Sequence, residues 1–198
     1  MVRLDGRDLS RPSPQTRKDT GPLTGTDLPW WIDKLGRDAP TRFNDWVAHV
    51  RSALPDVKGV DSVLQESENQ RYVRIQYEDG VQVPSWMLSE GTLRLLALTI
   101  LAYLPDFQGV YLIEEPENGV HPSALETIYQ SLSSIYDAQV LISSHSPMLL
   151  NMAKPEQLLC FSKSSDGVKI VRGSEHPALR DWQNEVSLGT LAASGILG

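Results

Sequence analysis

The stretch VYLIEEP, residues 110–116, has the pattern of a short buried strand that ends in two adjacent carboxylates. Four apolar residues precede Glu114 and Glu115, and Pro116 ends the strand. In open α/β sheets, ligands bind at the edge formed by the carboxyl ends of the strands. One carboxylate there can hold hydrated Mg²⁺, while its neighbour orients or deprotonates an attacking water. A solvated acidic turn explains the same residues. The surrounding sequence therefore has to discriminate between a catalytic pair of carboxylates and a solvated turn.

A second apolar strand, residues 139–143, follows a helical segment in which Leu125, Ile128 and Leu132 recur at helical spacing. Strand, helix and strand in this order predict a parallel βαβ unit. The second strand leads into the sequence SSHSP, residues 143–147. If the two strands are neighbours, His145 lies beside the two carboxylates, although a lone histidine is usually structural.

A third chemical feature is the turn LSEGTLR, residues 88–94, at the start of the apolar run LRLLALTILAYL. This run predicts a buried helix that Pro105 ends, too short to span a membrane. The helix start has unpaired N–H donors and a partial positive charge, so the turn with Ser89 and Gly91 can hold a phosphate. A serine N-cap on a core helix is the simpler interpretation of the turn alone.

The remaining sequence divides into segments of different composition. Residues 1–28 are rich in Pro, Ser, Thr, Gly and charge, which predicts a flexible segment. Residues 29–84 predict an amphipathic helix and then a β-hairpin around a Glu78-Asp79-Gly80 turn. Residues 85–198 hold the three chemical features, and two further short strands are expected at 157–162 and 168–171. The apolar positions of the amphipathic helix are Phe43, Trp46, Val47, Val50 and Leu54.

Composition narrows the choice of function. The chain has 198 residues, with 18 Lys and Arg against 25 Asp and Glu, for a formal net charge of −7. This balance argues against nonspecific binding to nucleic acid or acidic membranes, which needs clustered positive charge. Cys160, the single cysteine, lies in an apolar run and is expected to be a small buried hydrophobe. With neither a membrane helix nor a signal peptide in the sequence, we expect a cytoplasmic protein.

Together, these features resemble a known family. LSEGTLR resembles the signature motif of ABC ATPases, VYLIEEP their Walker B strand with its catalytic glutamate, ENGVHP the D-loop and SSHSP the switch-histidine loop. The order of the motifs matches, and IEEPENGVHP resembles RecF-like and OLD-like prokaryotic AAA ATPases. The resemblance implies an α/β, P-loop NTPase-like fold, the C-terminal lobe of an ABC ATPase head, with a mostly parallel sheet flanked by helices.

The resemblance also implies roles in ATP hydrolysis. By position in the motifs, Glu114 would bind Mg²⁺ through water, and Glu115 would polarise the attacking water. His145 would contact the γ-phosphate of ATP. ATP and Mg²⁺ are therefore the expected cofactors.

In this family two heads sandwich ATP, so a dimer of identical or different heads is expected. The signature turn would reach the nucleotide held by the opposite head, and the D-loop would lie across the dimer seam. His121 has a simpler explanation, as a structural loop residue before Pro122. The signature residues concerned are Ser89, Glu90 and Gly91, and the D-loop residues are Asn118, Gly119 and His121.

One part of the family pattern is missing. The 198 residues contain no G-x-x-x-x-G-K-[ST] sequence, so the phosphate-binding Walker A loop and its lysine are absent. GPLTGT, residues 21–26, has glycine and hydroxyls but no lysine. We therefore expect the chain alone to bind ATP weakly and to need a Walker A lobe in cis or in trans.

The expected function is an ATPase whose dimerisation drives a partner, such as a nuclease or another effector in defence or repair. A noncatalytic regulatory or dimerisation module is the main alternative. A DNA-binding head of the SMC type fits the fold, but the chain lacks a basic stripe or long heptad arms. A metal hydrolase would use Glu114, Glu115, His121 and His145, but the motif order already explains these residues, and no cysteine completes a zinc set. No membrane partner is expected.

Overall fold

The computed structural model describes residues 4–14, 25–105, 108–165, 167–180, 182 and 186–197. They form two compact units that divide between Ser143 and Ser144. Among the described residues, no helix has both the length and the apolar character needed to cross a membrane. In chain order, the first unit contains α1 (Gly6–Ser10), β1 (Ser13–Pro14), α2 (Leu28–Asp38), α3 (Pro40–Ala53), β2 (Val57–Gln65), β3 (Gln70–Tyr77), β4 (Gln82–Pro84), α4 (Glu90–Thr99), β5 (Gly109–Glu114), α5 (Pro122–Ser133) and β6 (Ala138–Ser143). The second contains α6 (Pro147–Met152), β7 (Leu159–Ser164), β8 (Gly167–Arg172) and α7 (Leu188–Ala193).

The N-terminal segment differs from the flexible segment expected over residues 1–28. Asp5 caps α1 by accepting a hydrogen bond from the backbone of Arg7, and Leu9 is fully buried in the core. β1 pairs with β3, where Ser13 lies opposite Arg71. The burial of Leu9 and the pairing of β1 attach this segment to the first unit, a signal that the polar composition hides. Residues 15–24 of the expected flexible segment lie outside the described residues.

The boundary expected near residue 84 also differs from the structure. One hydrophobic core contains Trp46 of α3 and Val73 of β3 together with Leu93 and Ile100, which come after that boundary. The helix and hairpin on the N-terminal side therefore bury their apolar faces against α4 within one unit. The compact units divide 59 residues later, after Ser143.

An antiparallel sheet precedes α4, with strands in the order β1, β3, β2 and with β4 on β3. The predicted hairpin is confirmed, since β3 and β4 pair around a turn in which Gly80 has a φ of 87°. Strand β2 was not predicted. Its register with β3 shifts between Val57 and Gly59, and this irregularity breaks the apolar alternation that would announce a strand.

The predicted amphipathic helix is confirmed as α3, and its aromatic anchor is Trp46. Trp46 is fully buried, and its indole Nε1–H donates to Oγ1 of Thr99 at 3.0 Å. Thr99 is itself fully buried in α4 and donates to the Leu95 carbonyl at 2.7 Å. The bond between Trp46 and Thr99 thus ties α3 to the helix that begins at the signature turn.

The variant Thr99→Val is expected to lower the free energy of unfolding by about 1–3 kcal/mol, because it leaves the buried indole N–H without an acceptor. Valine has nearly the shape of threonine, so little packing is lost. Urea denaturation of the variant and the parent measures the difference. Thr41→Val, at an exposed position of α3, is the matched control and should change stability by less than about 0.5 kcal/mol. An equally small loss in Thr99→Val would contradict the prediction.

The predicted βαβ unit is confirmed. β5 and β6 are parallel, with Leu112 opposite Leu141 and Glu114 opposite Ser143, and among the described strands they form the parallel pair. One face of the pair packs on α5 through a core that contains Ile113, Ile128 and Leu132. The opposite face exposes Val110 (59%), Leu112 (47%) and Leu141 (37%). Parallel sheets are normally covered on both faces, so this exposed apolar face is unusual.

The second unit has a small core and an exposed hairpin face. Cys160 is buried with Leu179, Leu188 and Leu197, as its apolar surroundings in the sequence predicted, and burial raises the pKa of its thiol. The two predicted short strands are confirmed as β7 and β8, which the structure pairs antiparallel. Four large apolar side chains of these strands are exposed: Leu159, Phe161, Val168 and Ile170.

Candidate functional site

The two carboxylates lie at the C-terminal edge of the parallel strands, as predicted. Glu114 is the last residue of β5 and pairs with Ser143, the last residue of β6. The backbone N–H of Glu115 donates to the Ser143 carbonyl at 2.9 Å, so the chain stays attached to β6 for one residue beyond the strand. Glu115 then has a φ of 44°, in the left-handed region. Non-glycine residues rarely occupy this region, and they do so disproportionately at functional sites.

The D-loop segment leaves Glu115 through two successive turns. The backbone N–H of Asn118 donates to the Glu115 carbonyl at 3.0 Å, and that of Val120 donates to the Glu117 carbonyl at 3.1 Å. The side-chain amide of Asn118 also donates to Oε2 of Glu115. Gly119 has a φ of 72°, a conformation that glycine adopts without a steric penalty. The D-loop therefore folds back on the carboxylate that precedes it.

The signature turn begins α4 with a side-chain cap. Oγ of Ser89 accepts from the backbone N–H of Thr92 at 3.1 Å and shares a hydrogen bond of 2.8 Å with Oγ1 of Thr92. The N-cap interpretation of Ser89 is confirmed, whereas its contact with a phosphate stays a prediction. Sequence reasoning missed Thr92, which the Ser-x-x-Thr spacing of an N-cap and its N3 partner could have indicated.

The signature turn and the D-loop meet within the first unit of this chain. The backbone of Gly91 lies so close to Gly119 that a Cβ at residue 91 would overlap the Gly119 carbonyl oxygen. The two segments line a cavity of about 130 Å³. Pockets that enclose a drug-sized ligand measure ~300–1,000 Å³, so this cavity is too small to enclose a whole nucleotide. Its walls are formed by Leu54, Ser89, Gly91, Thr92, Leu95, Gly119, His121 and Ala124.

Glu90 has partners within its own chain. Its carboxylate forms an ion pair with Arg94 at 3.0 Å, one turn along α4. The same carboxylate packs against α1, where a Cβ added at Gly6 would lie 2.5 Å from Cδ of Glu90. The predicted contact of Glu90 with nucleotide is not tested by these interactions and stays a prediction.

The structural interpretation of His121 is confirmed, because His121 is the N-cap of α5. Its Nδ1 accepts from the backbone N–H of Ser123 at 3.3 Å and shares a hydrogen bond of 2.8 Å with the Ser123 hydroxyl. His121 also lines the cavity that Ser89 lines, so the cap fixes the residue at which the D-loop ends and α5 begins.

His145 belongs to the second unit, in the turn that leads to α6. Ser146 caps that helix by accepting from the backbone N–H of Leu149 at 3.4 Å. The contact of His145 with a γ-phosphate, and its closeness to Glu115, stay predictions from the sequence.

The carboxylates at the end of β5 suit a magnesium ion that also binds the phosphates of a nucleotide. Within the described part of the chain, no group of three or more His, Cys, Asp or Glu side chains is arranged to hold a metal ion. Mg²⁺ does not need such a cage, because it commonly binds through one or two carboxylates, substrate phosphates and retained waters. Glu114, exposed at the strand edge, fits this mode of binding.

The sequence matches a described family over more than half its length. Residues 33–151 match the family described as "AAA domain, putative AbiEii toxin, Type IV TA system". The OLD nuclease of Thermus scotoductus is 30% identical over 127 residues, which is 59% of this chain and 24% of that protein. The chain therefore spans about a quarter of the length of that nuclease.

Solved structures of SMC ATPase heads share the fold. An SMC ATPase studied for ATP-driven dimerisation and DNA-stimulated activation has a TM-score of 0.53 at 12% identity, with 71% of this chain and 88% of that chain covered. The Smc head of Pyrococcus yayanosii has a TM-score of 0.54 at 11% identity, and the match covers 83% of this chain and 31% of that chain. The Smc head of Pyrococcus furiosus, bound to the C-terminal domain of ScpA, has a TM-score of 0.53 at 13% identity. That match covers 71% of this chain and 36% of that chain. At these identities the likeness establishes the fold alone, and it confirms the P-loop NTPase-like α/β class. The expected mostly parallel sheet was wrong for the described strands, because only β5 and β6 are joined by a helical crossover and the others pair antiparallel.

Proposed function

This chain is a member of the AAA domain family, and on that premise we propose that it is the catalytic half of an ATPase head that works with a separate Walker A lobe. The observation that carries the proposal is the parallel pairing of β5 and β6, which brings Glu114 and Glu115 to one sheet edge. In the same unit, the signature turn and the D-loop line one cavity.

In the proposed reaction, each carboxylate has its own task. Glu114 would hold Mg²⁺ through water, and the ion would supply charge stabilisation at the phosphates. Glu115 would accept a hydrogen bond from the attacking water and aim it in line with the leaving group. His145 would contact the γ-phosphate. The left-handed backbone at Glu115 supports this assignment, since such strain is found where a side chain must be aimed.

The need for a Walker A lobe is supported by uncovered apolar surface. The β5–β6 pair has α5 on one face and exposed Val110, Leu112 and Leu141 on the other. A parallel pair of strands is stable when both faces are covered. We propose that the lobe with the Walker A loop covers this face, supplied by another chain or by another part of a longer protein. In the second unit, the exposed face of β7 and β8 has the same apolar character.

The cavity between signature turn and D-loop supports a role in ATP-dependent dimerisation. Its walls include Ser89 and Gly91, the signature residues expected to face a nucleotide that a second head holds. Ser89 and Gly91 would contact that nucleotide, and the D-loop would lie at the seam. The OLD nuclease relative and the toxin family description support a nuclease or another defence effector as the driven partner. A cytoplasmic location is part of the proposal.

Calorimetry with Mg-ATP tests the proposal, using the chain alone and mixed with a Walker A-containing lobe from a related protein. Both samples carry the Glu115→Gln substitution, which is expected to prevent hydrolysis so that bound ATP is retained. Binding in the mixture and much weaker binding by the chain alone would support a divided ATPase head. Absence of binding in both samples, with the chain folded by circular dichroism, would contradict it and favour the noncatalytic module.

A further inference from the structure

Asn118 contacts the proposed catalytic carboxylate of its own head. Its backbone N–H donates to the Glu115 carbonyl at 3.0 Å, and its side-chain amide donates to Oε2 of Glu115. The two hydrogen bonds close a turn of four residues, Glu115 to Asn118. The resemblance to ABC ATPases places the D-loop, and with it Asn118, at the seam between two heads, and that placement stays a prediction.

The geometry around Glu115 restricts both its backbone and its side chain. On one side the backbone is attached to β6 by the bond to Ser143, at 2.9 Å, and on the other it is followed by the buried Pro116. A glutamate side chain has three rotatable bonds, so a fixed backbone alone does not aim its carboxylate. The amide of Asn118 supplies the missing constraint by holding one oxygen, Oε2, which leaves Oε1 for the water.

We propose that Asn118 is a positioning residue that orients the Glu115 carboxylate within the same head. This inference rests on the proposed function and adds a residue to its hydrolytic machinery. Asparagine suits the role because its amide is a donor on a short side chain. Aspartate has the same shape, but it lacks the donor and would repel the carboxylate.

Steady-state ATP hydrolysis by the full chain with the Walker A lobe tests this role. Asn118→Ala is expected to lower kcat about 10- to 100-fold, because a general base that is not aligned with the water accelerates the reaction less. KM should stay within about twofold of the parent value. Asn118→Asp is expected to lower kcat at least as far. Asn44→Ala, the same change at an exposed position of α3, is the matched control and should leave kcat within about twofold.

The Glu115→Gln background separates positioning from a seam contact. If Asn118 acts through Glu115, adding Asn118→Ala to Glu115→Gln should not lower turnover further and should leave ATP-dependent association within about threefold. Loss of association in the double variant would overturn the inference in favour of the seam, and so would a kcat of Asn118→Ala within twofold of the parent. Absence of hydrolysis by the unaltered, reconstituted head would instead refute the proposed function, and the positioning role with it.

A measurement without nucleotide tests the contact itself. In NMR spectra of the full chain, Glu115→Gln should shift the side-chain amide resonances of Asn118, while those of Asn44 should stay in place. Unchanged resonances of Asn118 would overturn the inference whatever the ATPase activity.

Discussion

Replacing Glu115 by Gln is expected to lower ATP turnover by the reconstituted head about 100-fold or more while ATP still binds. Glutamine keeps the size of the side chain and an oxygen that accepts from Asn118, but it cannot take a proton from water. A positioned general base contributes about 10²- to 10⁴-fold to a rate, which sets the size of the expected loss. Bound, unhydrolysed ATP should then hold two heads together.

Phosphate release and light scattering with ATP measure the two consequences of Glu115→Gln. Glu126→Gln is the matched control, because Glu126 is exposed on α5 and the same atoms change. The control should keep full turnover and dissociate as the parent does. Turnover above about a tenth of the parent value in Glu115→Gln would show that Glu115 is not the general base and would contradict the proposed mechanism.

Gly91→Ala is expected to destabilise the first unit and to weaken ATP-dependent association. The added Cβ would overlap the carbonyl oxygen of Gly119, a backbone atom in a tight turn, so α4 or the D-loop has to move. Overpacking of this kind costs about 1–3 kcal/mol in the free energy of unfolding. Because the displaced segments are the two that line the cavity, we expect association to fall about tenfold or more, equivalent to about 1.4 kcal/mol.

Urea denaturation and light scattering with ATP test both parts of the Gly91→Ala prediction. Gly59→Ala is the matched control, since a Cβ there would have no neighbour within 4 Å. It should change the free energy of unfolding by less than about 0.5 kcal/mol and leave association unchanged. Normal stability of Gly91→Ala would show that the close approach to Gly119 does not exist in solution.

Most elements with a strong local pattern were predicted correctly, although α2 was missed despite the helical spacing of its buried Leu28, Ile32 and Leu35. The buried helix after the signature turn, the hairpin around Gly80 and the βαβ unit all have apolar residues at the spacing of their own secondary structure. The serine cap at Ser89 is equally local, because its donor lies three residues away. These features follow from contacts between near neighbours in the chain, so short windows of sequence contain them.

Elements whose order comes from distant partners were missed. α1 is held by one fully buried residue, Leu9, in a polar segment, and β1 by pairing with β3, some 57 residues later. β2 was hidden because its register shifts at Gly59. Neither case has a periodic pattern long enough to stand out from its flanking residues.

For the candidate site, the sequence by itself determined the chemical groups and their order: a capped glycine turn, two carboxylates after a strand, and a D-loop. Tertiary structure decided how these groups meet. Gly91 touches Gly119 only because α4 and the D-loop pack together, and Glu115, with its left-handed backbone, is bonded to Ser143 of the neighbouring strand. Residue types set which interactions are available, whereas packing between segments far apart in the chain sets which of them form.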